Sequence, residues 1–87
     1  MAHKILIVDD DPAQRRILEE LVKRYGFETV IADGAGQGLD ILEASRSKPV
    51  DLIILDLVMP EIDGLEFLER LSAYRTSVPV IVQTAQG

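Results

Sequence analysis

Eighty-seven residues, 47% of them hydrophobic, amount to one domain with a packed core and exclude a disordered tail. A net charge of −6, from fifteen acids and nine bases, argues against a segment that holds nucleic acid by its phosphates. The chain has no Cys, no apolar run of membrane-spanning length and no signal-peptide pattern after Met1-Ala2-His3-Lys4, which suits a cytoplasmic protein without a disulfide framework or a membrane contact.

Ile5–Val8 is a continuous apolar run that ends in Asp9-Asp10-Asp11. Asp is a strong N-cap and Pro suits the first helical position, so Asp11-Pro12 starts a helix. Ile17, Leu18, Leu21, Val22 and Tyr25 recur at spacings of three and four and share one face of it. Lys23 and Arg24 complement the dipole of the last turn, and Gly26 fits the C′ position, which needs a positive φ. Glu28–Ala32 is a short strand with β-branched residues. Asp33–Gly38 is Gly-rich, and Leu39, Ile41 and Leu42 imply a second helix to about Ser45. The stretch Gly34-Ala35-Gly36-Gln37-Gly38 has its third Gly one residue too early for a dinucleotide fingerprint, and it is not the first strand–helix turn. The preferred reading is a loose start to the second helix.

Leu52–Leu55 is an apolar run without alternation, as expected for a strand buried on both faces of a parallel sheet. It ends in Asp56, and Pro60 stops any continuation. Asp63-Gly64 is a turn before a third helix, Gly64–Ala73, with Leu65, Leu68 and Leu71 on one face. Val80–Val82 is a fourth strand that leads to Thr84-Ala85. Alternating strands and helices with right-handed crossovers predict an α/β, doubly wound parallel sheet, in the order 2-1-3-4. The first strand then lies beside the third, and Asp9, Asp10 and Asp56 converge at the C-terminal edge of the sheet, at the topological switch point.

Carboxylates at about 4 Å repel by about 4 kcal/mol per pair at an effective dielectric near 20. Either protonation or a hard divalent cation must offset that cost. Oxygen ligands with no neighbouring His or Cys suit Mg²⁺, and the Val58 carbonyl is a further candidate ligand. Beside such an ion an Asp carboxylate can act as a nucleophile toward phosphorus and form an acyl phosphate. The Thr84 hydroxyl can donate to a phosphoryl oxygen, and Ala85 is small enough to leave room for it. Taken alone, Thr84 reads more simply as a strand-end hydroxyl bonded locally.

The Asp9-Asp10 pair after Ile5–Val8, the D-x-x-M-P-x-x-D-G segment from Asp56 to Gly64, and Thr84-Ala85 after Val80–Val82 together resemble the receiver domain of bacterial two-component response regulators. The match runs from residue 4 to residue 87. The resemblance implies a flavodoxin-like fold and a phosphoacceptor at Asp56. It implies Mg²⁺ held directly by Asp10, Asp56 and the Val58 carbonyl, with Asp9 acting mainly through water. It implies Thr84 as the switch residue, and Asp11 is better read as a helix cap than as a ligand. It also implies a sensor histidine kinase or phosphotransfer protein as phosphodonor and an output domain in a longer chain. The DDDP and VIVQTAQG segments are similar to receivers at the head of transcription activators that carry a DNA-binding ATPase domain.

The family also has a fourth helix, a fifth strand preceded by a Lys, and a fifth helix, none of which falls within residues 1–87. The expectation is therefore a receiver truncated after its fourth strand, whose open edge pairs with another chain to give a homodimer. Two other readings stay open. One is an Asp-nucleophile phosphatase of the haloacid dehalogenase type, although the D-x-D motif here ends in Ala13 and leaves the acid on the third strand unexplained. The other is a degenerate receiver that only binds partners, against which stand its three retained acids.

Overall fold

The computed structural model describes residues 3–44, 50–56, 69–70 and 78–83. In chain order these form β1 (Lys4–Val8), α1 (Pro12–Arg24), β2 (Glu28–Ala32), α2 (Ala35–Ala44), β3 (Leu52–Asp56) and β4 (Val80–Gln83). Of the expected third helix, residues 69–70 are helical and the rest lies outside the described residues. The four strands make one parallel sheet in the order β2-β1-β3-β4, the doubly wound arrangement read from the sequence. The path from β1 to β2 steps one way and that from β2 to β3 steps back across β1. Right-handed crossovers therefore place α1 and α2 on opposite faces.

β1 sits in the middle and is buried on both faces from Ile5 to Val8. Leu6, Val8, Ala32, Ile53 and Leu55 are wholly buried and pack with Leu39 of α2 and with Val50. Each Leu or Ile buried in this way contributes about 1.5–3 kcal/mol. β3 departs from the expected strand buried on both faces: Ile53 and Leu55 are buried, whereas Leu52 and Ile54 on the other face are only half-buried.

The ends of α1 follow the sequence closely. The Asp11 side chain accepts from the Ala13 and Gln14 N–H groups, and Pro12 occupies the first turn. At the other end the Gly26 N–H donates to the Lys23 carbonyl and the Phe27 N–H to the Val22 carbonyl, while Gly26 takes φ 89°. That pair of bonds is a Schellman motif and satisfies two carbonyls the helix leaves unpaired. The apolar stripe is less buried than its spacing suggests. Leu18 and Val22 are half-buried, but Ile17, Leu21 and Tyr25 are exposed.

The Gly-rich stretch is the start of the second helix, as preferred from sequence. α2 begins at Ala35, so Gly36 and Gly38 are inside the helix. The Gly38 N–H donates to the Gly34 carbonyl, an intrahelical bond, and the Gln37 side chain accepts from the Asp33 N–H at 2.7 Å. The Gln37 bond satisfies one backbone N–H at the start of the helix and offsets part of what the glycines cost it. It also leaves no glycine loop for a nucleotide there. Among the described residues no helix is long and apolar enough to cross a membrane.

Candidate functional site

The sheet register builds the site. Val8 pairs with both Ala32 and Leu55, so the next residues along, Asp9 and Asp56, come level at the C-terminal edge of two adjacent strands. β4 continues the row, with Gln83, the residue before Thr84, paired to Asp56. Strand ends place these acids where a doubly wound sheet opens its crevice. Asp9, Asp10 and Asp56 each offer a carboxylate oxygen, and the three atoms lie within 4.8 Å of one another. Asp9 and Asp56 are buried, 0% and 4% exposed, and Asp10 is more open to solvent. Val58, Thr84 and Ala85, the other site residues expected from sequence, lie outside the described residues.

Asp9 is held at three points. Its N–H donates to the Ala32 carbonyl at 3.1 Å, which ties it to the end of β2. Its Oδ1 accepts from the Asp11 N–H at 2.9 Å, an Asx-type turn. Its carbonyl accepts from Arg15 Nη1 at 2.9 Å. The remaining atom, Oδ2, is buried and has no hydrogen-bond partner among the described residues. Burial pushes the Asp9 carboxyl above the ordinary range. The Asp11 N–H opposes the rise, and the negative charges of Asp56, Asp10 and Asp11 add to it.

A buried, unpartnered carboxylate oxygen beside two further carboxylates is a costly arrangement with nothing bound. An all-oxygen donor set with no His or Cys suits a hard divalent cation, so these residues fit Mg²⁺. Two contributors are not evident from the motifs. Arg15 reaches back from the first turn of α1, and Asp11 serves Asp9 as well as the helix. The D-x-D spacing of an Asx turn signals the second role; nothing in the linear pattern signals the first.

A family model described as the response regulator receiver domain matches residues 5–87. The chain belongs to the response-regulator receiver family. The sporulation initiation phosphotransferase F of Bacillus subtilis is similar to this receiver at 39% identity over 87 residues, covering 100% of this chain and 68% of that protein. The transcriptional regulatory protein CpxR of Escherichia coli K12 is 39% identical over 85 residues, or 98% of this chain and 34% of its own length. The transcriptional regulatory protein ZraR of Klebsiella oxytoca is 38% identical over 81 residues, or 93% of this chain and only 18% of its own. The receiver therefore spans a minor part of both transcriptional regulators. Among solved structures, a response regulator receiver protein from Pseudomonas putida superposes with a TM-score of 0.87 at 30% identity, covering 97% of this chain and 69% of that one.

Proposed function

We propose that this receiver takes a phosphoryl group onto Asp56 in a two-component signalling pathway. The juxtaposition of Asp56 with Asp9 and Asp10 at the sheet edge, with oxygens within 4.8 Å, carries that reading. Asp56 is the acid that ends β3, level with the buried Asp9 on one side and paired with Gln83 of β4 on the other. A carboxylate oxygen of Asp56 attacks phosphorus in line with the leaving group. The P–O bond forms as the P–N bond of a phosphohistidine breaks, and the imidazole nitrogen keeps the electron pair. Asp10, Asp56 and the Val58 carbonyl would hold Mg²⁺, with Asp9 acting mainly through water, and the bound ion would supply charge neutralisation at the phosphoryl oxygens. Thr84 donates its hydroxyl to a phosphoryl oxygen, and Ala85 leaves space and a backbone N–H.

The donor is a sensor histidine kinase or phosphotransfer protein, and the reader of the phosphorylated surface is an output domain. The transcriptional regulatory proteins CpxR and ZraR support a transcriptional output, and the same proposal includes a cytoplasmic location and a DNA-binding ATPase activator as one form of output domain. The new charge at Asp56 shifts a two-state equilibrium of the receiver surface. The receiver accepts a phosphoryl group and is not itself a turnover enzyme. Residues 1–87 act as one unit, and the side of β4 with which no strand pairs among the described residues supports self-association.

The test is labelling by a small phosphodonor in the presence of Mg²⁺, with beryllofluoride titration in parallel. The parent takes up at most one phosphoryl group per chain, and Asp56→Asn takes up none. Labelling that survives in Asp56→Asn overturns the assignment, and sustained turnover of a phosphate monoester replaces the receiver reading with the phosphatase one.

A further inference from the structure

The Arg15 side chain crosses from α1 to the loop after β1 and donates Nη1 to the Asp9 carbonyl at 2.9 Å, in a part-buried setting. We infer that Arg15 is a positioning residue for the divalent-cation site and acts through the Asp9–Asp10 peptide; this rests on the Mg²⁺ reading proposed above. The carbonyl of Asp9 and the N–H and Cα of Asp10 lie in one rigid peptide plane. Fixing the oxygen fixes the rotation of that plane, and with it the direction in which Asp10 leaves the backbone.

The rest of Asp9 is already anchored, by its N–H on Ala32 and by its Oδ1 on the Asp11 N–H. These bonds hold Asp9 but leave the far side of the peptide to Arg15. Asp10 is the most open of the three acids and is not stiffened by burial as Asp9 and Asp56 are. Its aim therefore depends on its backbone. The Asp9 Oδ2 atom is buried and without a hydrogen-bond partner among the described residues, and the Asp9 carboxylate beside Asp10 and Asp56 is the point toward which that aim must be kept.

Mg²⁺ demands nearly ideal octahedral geometry, whereas Ca²⁺ tolerates irregular ligand directions. A loosened Asp10 should thus penalise Mg²⁺ more than Ca²⁺. A purely structural role for Arg15 would lower the melting temperature and leave the preference between the two ions alone.

The experiment titrates the full chain with Mg²⁺ and with Ca²⁺ by calorimetry, comparing the parent with Arg15→Met and Arg15→Lys. Metal-free melts are recorded alongside. Arg15→Met is expected to raise the Mg²⁺ dissociation constant about tenfold, the lower end of what outer-sphere partners contribute. Ca²⁺ binding should shift much less, and Arg15→Lys, which keeps a donor, should fall between parent and Arg15→Met. Should Arg15→Met be unfolded in the melts, the same comparison on Arg15→Gln carries the test. A parent that binds Mg²⁺ while the folded variant keeps the parental Mg²⁺-to-Ca²⁺ ratio overturns the role of Arg15 alone. A parent that binds neither ion overturns the cation reading of the site, and the role of Arg15 with it.

Discussion

The Asp9 side chain has one oxygen bonded to the Asp11 N–H and the other buried without a hydrogen-bond partner among the described residues, and it lies beside two more acids. Replacing that second oxygen by an amide removes one charge from the cluster and provides a donor to a neighbouring carboxylate, while Oδ1 can still accept from Asp11. Asp9→Asn is therefore expected to stabilise the metal-free protein by about 1–2 kcal/mol at neutral pH, the scale of an unsatisfied buried polar group. The pH dependence has a definite sign. The Asp9 carboxyl is pushed up in the folded state, so the unfolded chain gives up this proton first. Its contribution to stability is complete below the unfolded value of about 3.9 and is lost as pH rises through the raised folded value. Chemical denaturation in chelator should show the variant's advantage opening as pH climbs across that window. An advantage that is flat with pH would remove the charge argument. Added Mg²⁺ should stabilise the parent, by about 2.7 kcal/mol at a hundredfold excess over its dissociation constant, and should stabilise Asp9→Asn less.

α1 shows how far a sequence discloses an element and where it stops. Its ends are local chemistry, and Asp11, Pro12 and Gly26 all occupy the places their types dictate. The start of α2 was legible only as a loose one, because Gly36 and Gly38 argue against a helix by propensity, and the Gln37 side chain accepting from the Asp33 N–H and Leu39 packing in the core act in its favour. Burial was harder to read. The periodicity of Ile17, Leu18, Leu21, Val22 and Tyr25 marks an apolar face but says nothing of how much partner surface meets it, and three of these five side chains are exposed. Removing the α1 cap isolates the local part. Asp11→Ala loses the two bonds to the Ala13 and Gln14 N–H groups and should cost about 1 kcal/mol in thermal or urea unfolding. Asp11→Asn should recover most of it. The Asp11 N–H that holds Asp9 Oδ1 is a backbone group and survives both changes, so Mg²⁺ affinity should move far less than stability.

At the scale of the whole molecule, the convergence of Asp9, Asp10 and Asp56 was legible because it follows from topology: an order of 2-1-3-4 makes two acid-bearing strand ends neighbours whatever the side chains between them do. The same topology leaves a consequence at the sheet's flank. β4 pairs with β3 on one side, and among the described residues no strand pairs with its other side. α1 and α2 both pack on β1 and β2, toward the opposite end of the sheet. Ile81 and Val82 of β4, on opposite faces of the strand, are 52% and 43% exposed. A strand edge with free N–H and C=O groups and apolar side chains is a template for pairing with another chain. The polypeptide of residues 1–87 is therefore expected to self-associate, with a sedimentation coefficient that rises with concentration. Ile81→Lys places a charge on the edge without altering the backbone pairing to β3. It should raise the dissociation constant at least about tenfold, equivalent to about 1.4 kcal/mol. Glu28→Gln, at an exposed position on the far edge strand β2, makes the same change of one unit in net charge, is the control and should leave association unchanged. Equal loss of association in both variants would point to their shared change in net charge and not to the β4 edge, and a parent that stays monomeric at high concentration would show that the β4 edge is not used.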